Sequence, residues 1–540
     1  MPSKIRNNKF TNVISLNDYY IRKSQPSVRS YLNRVSEGSS FIVDTPFARG
    51  ESTSKLLEKW IEHLESIRSR WPTLWDFEID LSKKVGPLSV MKPWSERVSD
   101  VESYYEDILL SSTPINYQAQ LKVVEEWAKF KGLRLRSKKR TIELMKKSTN
   151  SGVPYFTKRR NVIPETERSR LKFMHNQQLP YMETPDGVFD IAAMIGWRGQ
   201  EGGPKPSDVK QRVVWMFPFL LNVEELRCYQ PLIEVAQKFN IVPAWVGMDA
   251  VDREITLLFD SKGDNDLIVC TDFSRFDQHF NKDMSEAAQN ILSKLMTSSM
   301  ENREWLETIF PVKYFIPMIT PTKVFNGRHG MGSGSGGTNA DETLVHRALQ
   351  YEAAIKHGAT LNPHSMCLGD DGILTYPGIT IEDVVDVYSQ HGQEMNSDKQ
   401  YASTHDCVYL RRWHHKEYRV AGVCAGVYST CRALGRLRYM ERFKDPSVWD
   451  ERAVALRQLS IIEDVKYHPL KEEFVEFCMK RDKYRLGIDI PHFLDDIRSV
   501  ALEKIENIPD FLGYTKQLQS NDPVAGIENW WIVRYLKSKS

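Results

Sequence analysis

Two short apolar runs that each end in acid constrain this chain more than any other feature. DLIVCTD at 266–272 closes on Asp272, and SMCLGDDGIL at 365–374 carries Asp370 and Asp371 at its centre. The first reads as a buried strand and the second as two strands around a turn, a hairpin. Adjacent acids in a tight turn repel one another, and a divalent cation relieves that cost. Hard cations such as Mg²⁺ take oxygen ligands, usually one or two carboxylates with water and substrate phosphate completing the shell. Three acids on neighbouring strands could hold two such ions about 4 Å apart, an arrangement that serves phosphoryl transfer. Asp-Asp-Gly is also good turn chemistry in its own right, so the surroundings must decide.

Between the two runs lies RHGMGSGSGGTNADETL at 328–344, with Ser333, Gly334 and Thr338 in a glycine-rich loop that leads into a helix. Such a loop lets backbone approach a ligand closely. It lacks the lysine of a phosphate-cradling P-loop, which disfavours an ATPase. Upstream, PKPSDVKQRVVWMFPF at 204–219 places Lys210 and Arg212 two apart on an expected strand, hence on one face and suited to a triphosphate. STNSGVPYF at 148–156 is a small-residue turn past which a nucleic-acid backbone could run. Downstream, Lys399 in EMNSDKQYA could give a proton to a departing pyrophosphate. Amphipathic helices are expected over 55–69, 283–299 and 381–392, the last with Gly392 as its C′ residue. Leu344, Ala348, Tyr351 and Ile355 form one helical stripe closed by Gly358. The order of elements implies an α+β core with strands from distant segments.

Charge supports a nucleic-acid partner only when followed along the chain. The 540 residues carry 73 Lys+Arg against 71 Asp+Glu, a net +2 that by itself argues against one. Yet residues 131–172 hold 14 basic and 3 acidic residues, and residues 411–444 hold 9 and 2. The remainder is net acidic, so positive potential can concentrate locally in a nearly neutral protein. No apolar run approaches a membrane span, and MPSKIRNNKF lacks the apolar core of a signal peptide. Seven scattered cysteines without a C-x-x-C pair, and only His414 and His415 near Cys407, give no zinc signature.

In this order the segments resemble motifs G, F, A, B, C, D and E of the viral RNA-dependent RNA polymerases, over roughly residues 148–415, most like those of picobirnaviruses. The resemblance implies an α+β right-hand polymerase of fingers, palm and thumb closed around a central channel, with N- and C-terminal extensions. It implies metal ligation by Asp272, Asp370 and Asp371 and ribose sensing by Asp277. Nucleotide contacts would come from Lys210, Arg212, Ser333, Gly334, Thr338 and Asn339, and Lys399 would be the general acid. RNA would be met by Ser151, Gly152 and Pro154, and the product 3′ end by Tyr409, Leu410, Arg411 and Arg412. The positive-strand pattern has an Asn four residues after the motif B Thr, where this chain has Glu342; Asn339 directly follows the Thr.

The expected layout is an N-terminal extension and fingers over 1–260, palm over 261–282, and a fingers insertion over 283–329. Palm resumes over 330–410, followed by thumb over 411–515 and a tail over 516–540. The implied reaction is primer-independent copying of RNA from NTPs with two Mg²⁺ ions, or Mn²⁺, in a double-stranded RNA virus. RNA, NTPs and capsid protein are the expected partners, in the virion interior and the host cytoplasm, without membrane or zinc. Trp530 and Trp531 in the tail could either reach the channel to stack on a base or anchor the tail on the thumb. The competing readings are a reverse transcriptase, which typically shows an aromatic steric gate, and a non-catalytic RNA-binding or capsid-associated protein. The latter explains the basic stretches but not the strand-end acids.

Overall fold

Ile268–Thr271, wholly buried, forms β1, and Asp272 follows directly at its end. Met366–Leu368 (β2) and Asp371–Leu374 (β3) form the expected hairpin, with Gly369 and Asp370 as its two-residue turn. Gly369 takes φ +57°, which fits glycine at the first central position of a type II′ turn. Tyr401–Ser403 (β4) completes an antiparallel sheet in the order β4-β1-β3-β2. In the computed structural model the described residues are 26–130, 132–173, 178–505, 522 and 524–540. The reading of MPSKIRNNKF therefore lies outside the described residues, as do Lys131 of the first basic stretch, positions 506–515 of the expected thumb and positions 516–521 and 523 of the tail.

Five helices of the same unit matter for the site. Tyr117–Glu126 (α1), Phe219–Phe239 (α2), Lys282–Leu295 (α3), Thr338–Lys356 (α4) and Ile381–Ser389 (α5) are all amphipathic or core helices. The single stripe expected on α4 understates its burial. Asp341, Glu342, Val345, His346, Leu349 and Gln350 are buried as well, because α1, α3, α5 and β2 pack around it. A helix enclosed on most sides need not display one apolar face. Helix α3 stops at Leu295 rather than 299, because Met296 turns to extended backbone and bridges to Leu133. Helix α5 ends at Ser389, and Gly392, at φ +78°, closes the following turn.

The chain divides into two compact units that cut it differently from the expected layout. Among the described residues, one comprises those of 26–37, 93–196 and 213–409; the other comprises those of 38–92, 197–212 and 410–540. In the second, residues 38–92 join the C-terminal part through a buried polar cluster. Trp60 donates its indole N–H to Thr430 Oγ1 at 2.7 Å, and Thr430 donates its hydroxyl to Glu78. Helix Thr53–Leu64 ends in a 3₁₀ turn at Glu65–Ile67, shorter than the expected 55–69, and its Trp60 packs edge-on against Phe474. The tail forms helix Trp531–Lys539, with Ile532, Val533 and Leu536 buried. Glu463 caps its start, accepting from the backbone N–H groups of Trp531 and Ile532 at 3.2 and 3.0 Å. Of the two readings of the tail, these contacts match the anchor. Among the described residues no helix is long and apolar enough to cross a membrane.

Candidate active site

Strand register brings the acids together. Gly372 pairs with Thr271 and Ile373 with Cys270, so one further step sets Asp371 opposite Asp272. Directly opposed residues of antiparallel strands lie about 5 Å apart at Cα and share a face. Asp370 sits in the turn one residue away.

Helix α4 fixes that turn. Thr343 Oγ1 accepts the Gly369 N–H at 2.9 Å, and His346 Nδ1 meets the Gly369 carbonyl at 2.8 Å. Burial lowers the His346 pKa to about 4, so its ring is neutral and Nδ1–H is the donor. Gln350 donates to the carbonyls of Met366 and Ile373 on the two hairpin strands. Gly372 is required beneath: a Cβ there would lie 2.6 Å from His346 Cε1. Glu342 and Asn339 flank the same turn, because a Cβ on Gly369 would meet Glu342 Oε2 at 3.4 Å and Asn339 Nδ2 at 3.5 Å. Asn339 is oriented by Trp245, whose indole N–H it accepts at 2.8 Å.

Asp272 is held from the other side by Gln400. The side-chain oxygen of Gln400 accepts the Asp272 N–H at 2.7 Å, and its amide donates to the Asp272 carbonyl at 2.9 Å. The side chain thus continues the ladder just before β4 begins, and the residue preceding it, Lys399, is exposed. Asp277 is buried, and its carbonyl accepts the Met331 N–H at 2.8 Å. A Cβ on Gly330 would come within 2.4 Å of that carbonyl oxygen, so the glycine-rich loop starts against the ribose-sensing candidate.

The loop itself is tightly seated. Ser333 donates to the Val213 carbonyl at 3.2 Å, and Thr338 to the Gly332 carbonyl at 3.0 Å. A Cβ on Gly334 would overlap the Trp215 carbonyl oxygen at 1.5 Å. Gly334→Ala should therefore displace the loop and cut nucleotide incorporation at least about tenfold, because backbone must shift to relieve the overlap. Wild-type activity in that variant would contradict the packing described.

The remaining candidates are more varied in setting. Lys210 and Arg212 are both exposed and lie on one face of strand Lys210–Met216. Ser151 and Gly152 are buried; Gly152, at φ +62°, packs so closely that a Cβ would lie 2.5 Å from the Phe217 carbonyl oxygen. Pro154 is half-buried. Leu410 and Arg411 both take positive φ, +52° and +59°, and make a tight turn. Arg411 is exposed, whereas Tyr409 is buried in the core and Arg412 is buried beside Asp464 at 3.6 Å. Part of the basic excess is likewise consumed internally: Arg136 pairs with Glu234, Arg432 with Glu201 and Arg436 with Asp464.

Sequence reasoning passed over Gln400, Thr343, His346, Asn222 and Glu225. Only Glu225 left a trace, as an acid within the largely apolar helix FLLNVEELRCYQPLIEV. The donor set of Asp272, Asp370 and Asp371 suits a hard divalent cation, since carboxylate oxygens are its preferred ligands. Among the described residues no three His, Cys, Asp or Glu side chains form a ready-made chelate, so the fit rests on donor chemistry and strand register.

Comparison with known proteins agrees with this geometry. Residues 43–425 match the family model described as viral RNA-dependent RNA polymerase. A protein of human picobirnavirus (strain Human/Thailand/Hy005102/-) named "Potential RNA-dependent RNA polymerase" is 55% identical over 526 residues, covering 96% of this chain and 98% of its own. The crystal structure of the RNA-dependent RNA polymerase of a human picobirnavirus superposes with a TM-score of 0.91 at 52% identity, covering 97% of this chain and 98% of that one. An insertion-loop deletion mutant of such a polymerase gives 0.90 at the same identity and coverage. The chain belongs to the viral RNA-dependent RNA polymerases and has their right-hand α+β fold.

Proposed function

We propose that this polymerase joins NTPs to the 3′-hydroxyl of a growing RNA at Asp272, Asp370 and Asp371, and that these three carboxylates hold two divalent cations, Mg²⁺ or alternatively Mn²⁺. The observation that carries the assignment is the register setting Asp371 opposite Asp272, with Asp370 in the adjoining turn. When bound, the cations supply positive charge to the attacking and departing oxygens. Lys210 and Arg212 offer two cationic side chains to the incoming triphosphate. Ser333, Gly334, Thr338 and Asn339 line the template–nucleotide pair, and Asp277 receives the ribose 2′-hydroxyl. Lys399 gives a proton to the departing pyrophosphate. Ser151, Gly152 and Pro154 guide template, while the turn at Tyr409, Leu410, Arg411 and Arg412 supports the product end. Arg411 is the exposed cation of that turn.

The expected fingers, palm, thumb and tail boundaries belong to the same proposal. So do primer-independent initiation, replication and transcription of a double-stranded RNA genome, a capsid partner, and work in the virion interior and host cytoplasm. A comparison of NTPs with dNTPs tests the nucleotide assignment. Wild type should prefer NTPs, and Asp277→Ala should lower that preference about tenfold, because a hydrogen bond between the 2′-hydroxyl and a charged group is lost. An unchanged preference would remove Asp277 from ribose selection. Wild-type use of dNTPs in preference to NTPs would favour a reverse transcriptase.

A further inference from the structure

The glycine-rich loop has almost no side chains with which to fix itself, yet its position is closely defined. One buried carboxylate on α2 holds its centre, at Ser335 and Gly336. Glu225, fully enclosed, accepts the Ser335 hydroxyl and the Gly336 N–H, the latter at 3.1 Å. Asn222, one helical turn earlier, donates to Glu225 at 3.2 Å and to the Gly334 carbonyl at 3.1 Å. Arg159 in turn orients Asn222, donating to its side-chain oxygen at 2.8 Å. Ser335 passes the arrangement onward: its Oγ accepts the Gly337 N–H at 3.0 Å, and its carbonyl accepts the Thr338 hydroxyl at 3.3 Å. A carboxylate is costly to bury unless its charge is met by donors. Here the donors come from the loop that opens α4.

We propose that Glu225 is the positioning residue of the glycine-rich loop: its ionised carboxylate latches Ser335 and Gly336 to α2 and thereby sets where Ser333, Thr338 and Asn339 stand against the template–nucleotide pair. The latch rests on the assignment of that loop to nucleotide positioning. It acts through the loop and touches no reacting atom.

The latch is sensitive to protonation. Burial raises the Glu225 pKa to about 6, against the opposing pull of Lys313 and of the Ser335, Gly336 and Asn222 hydrogen bonds. The charged and titratable groups around it are Lys313 from the turn Phe310–Tyr314, Asp341 of α4 paired with Lys313, Tyr229 on α2, and Arg159 behind Asn222. An ionised carboxylate only accepts, whereas its protonated form gives up accepting capacity for a donor. As pH falls through about 6, the carboxyl loses accepting capacity toward the Ser335, Gly336 and Asn222 donors, which weakens the latch.

The test is steady-state nucleotide incorporation by wild type, Glu225→Gln, Ser335→Ala and the double variant, between pH 5.5 and 8, with thermal midpoints measured alongside. Glu225→Gln imitates the protonated acid. It should raise the NTP KM about fivefold at pH 7.5, with kcat within about twofold, as expected for loss of a hydrogen bond to a charged group. Wild type should show a KM rise below about pH 6.5, and Glu225→Gln should lack it. Ser335→Ala should move KM in the same direction, and the double variant should cost less than the two singles combined. A wild-type KM in Glu225→Gln, or a KM rise at low pH that persists in it, overturns the latch. Should Glu225→Gln fail to fold, Ser335→Ala decides: an unchanged KM there also overturns it. Ser333→Ala in parallel separates the two levels. A raised KM in Ser333→Ala beside wild-type behaviour of Glu225→Gln refutes the latch alone, whereas unchanged KM in both refutes the loop assignment on which it rests.

Discussion

Asp370→Asn is expected to lower template-directed nucleotide incorporation by at least about a thousandfold, with RNA affinity held within about twofold. Asn keeps the size of the side chain and suits a turn as well as Asp, so the hairpin held by Thr343 and His346 should persist. What would be lost is one of the three negative charges proposed to hold the cations, and charge stabilisation of this kind is worth several kcal/mol at the transition state. Each 1.36 kcal/mol is a factor of ten in rate. Under the proposal, RNA affinity rests instead on phosphate contacts from exposed basic side chains such as those in 132–172 and 411–444, and it should weaken with salt in wild type and variant alike. A binding assay and an incorporation assay on the same RNA separate the two effects. Parallel losses of binding and incorporation would contradict the catalytic assignment.

Asp341→Ala should destabilise the fold by about 3–5 kcal/mol, the usual cost of leaving one partner of a buried ion pair uncompensated. Asp341 and Lys313 have fully buried side chains and pair at 2.9 Å. Tyr229 and Tyr314 donate to Asp341 at 2.7 and 2.9 Å, and Lys313 also lies 3.6 Å from the centre of the Phe310 ring. Removing the carboxylate strands an ammonium among aromatic rings and deprives two buried hydroxyls of their acceptor. Replacing both partners, as Lys313→Met with Asp341→Leu, should cost less than Asp341→Ala alone, because no charge is then buried unpaired. Urea unfolding of the three proteins measures this. A loss below about 1 kcal/mol for Asp341→Ala would show that the pair is not closed to water.

The strands that carry the candidate acids were more legible in the sequence than the packing that supports them. The strand ending at Asp272 and the hairpin around Asp370 and Asp371 could be read because short apolar runs with terminal acids are local signals. The face shared by Lys210 and Arg212 follows from a period of two in the same way. Gln400 could not be read, because its role is created by backbone groups 128 residues away. His346 and Thr343 were likewise invisible: they sit inside a helix whose buried positions extend round most of its circumference, so no face distinguished them. The association of residues 38–92 with 410–540 also left no local trace, because the Trp60–Thr430 hydrogen bond spans 370 positions. Charge counting found the basic stretches but missed that Arg136, Arg412, Arg432 and Arg436 have acidic neighbours of their own.

Under the proposed assignment, the end of β1 and the hairpin turn act as one reaction centre. Synthesis of complementary RNA from NTPs on a defined RNA template, by wild type, Asp272→Asn, Asp370→Asn and the double variant at equal RNA occupancy, tests it most directly. Product should form with wild type, and the double variant should be no worse than the poorer single variant, because residues that work as a unit are not additive. Product at the wild-type rate from Asp272→Asn, or independent multiplicative losses in the double variant, would contradict the account.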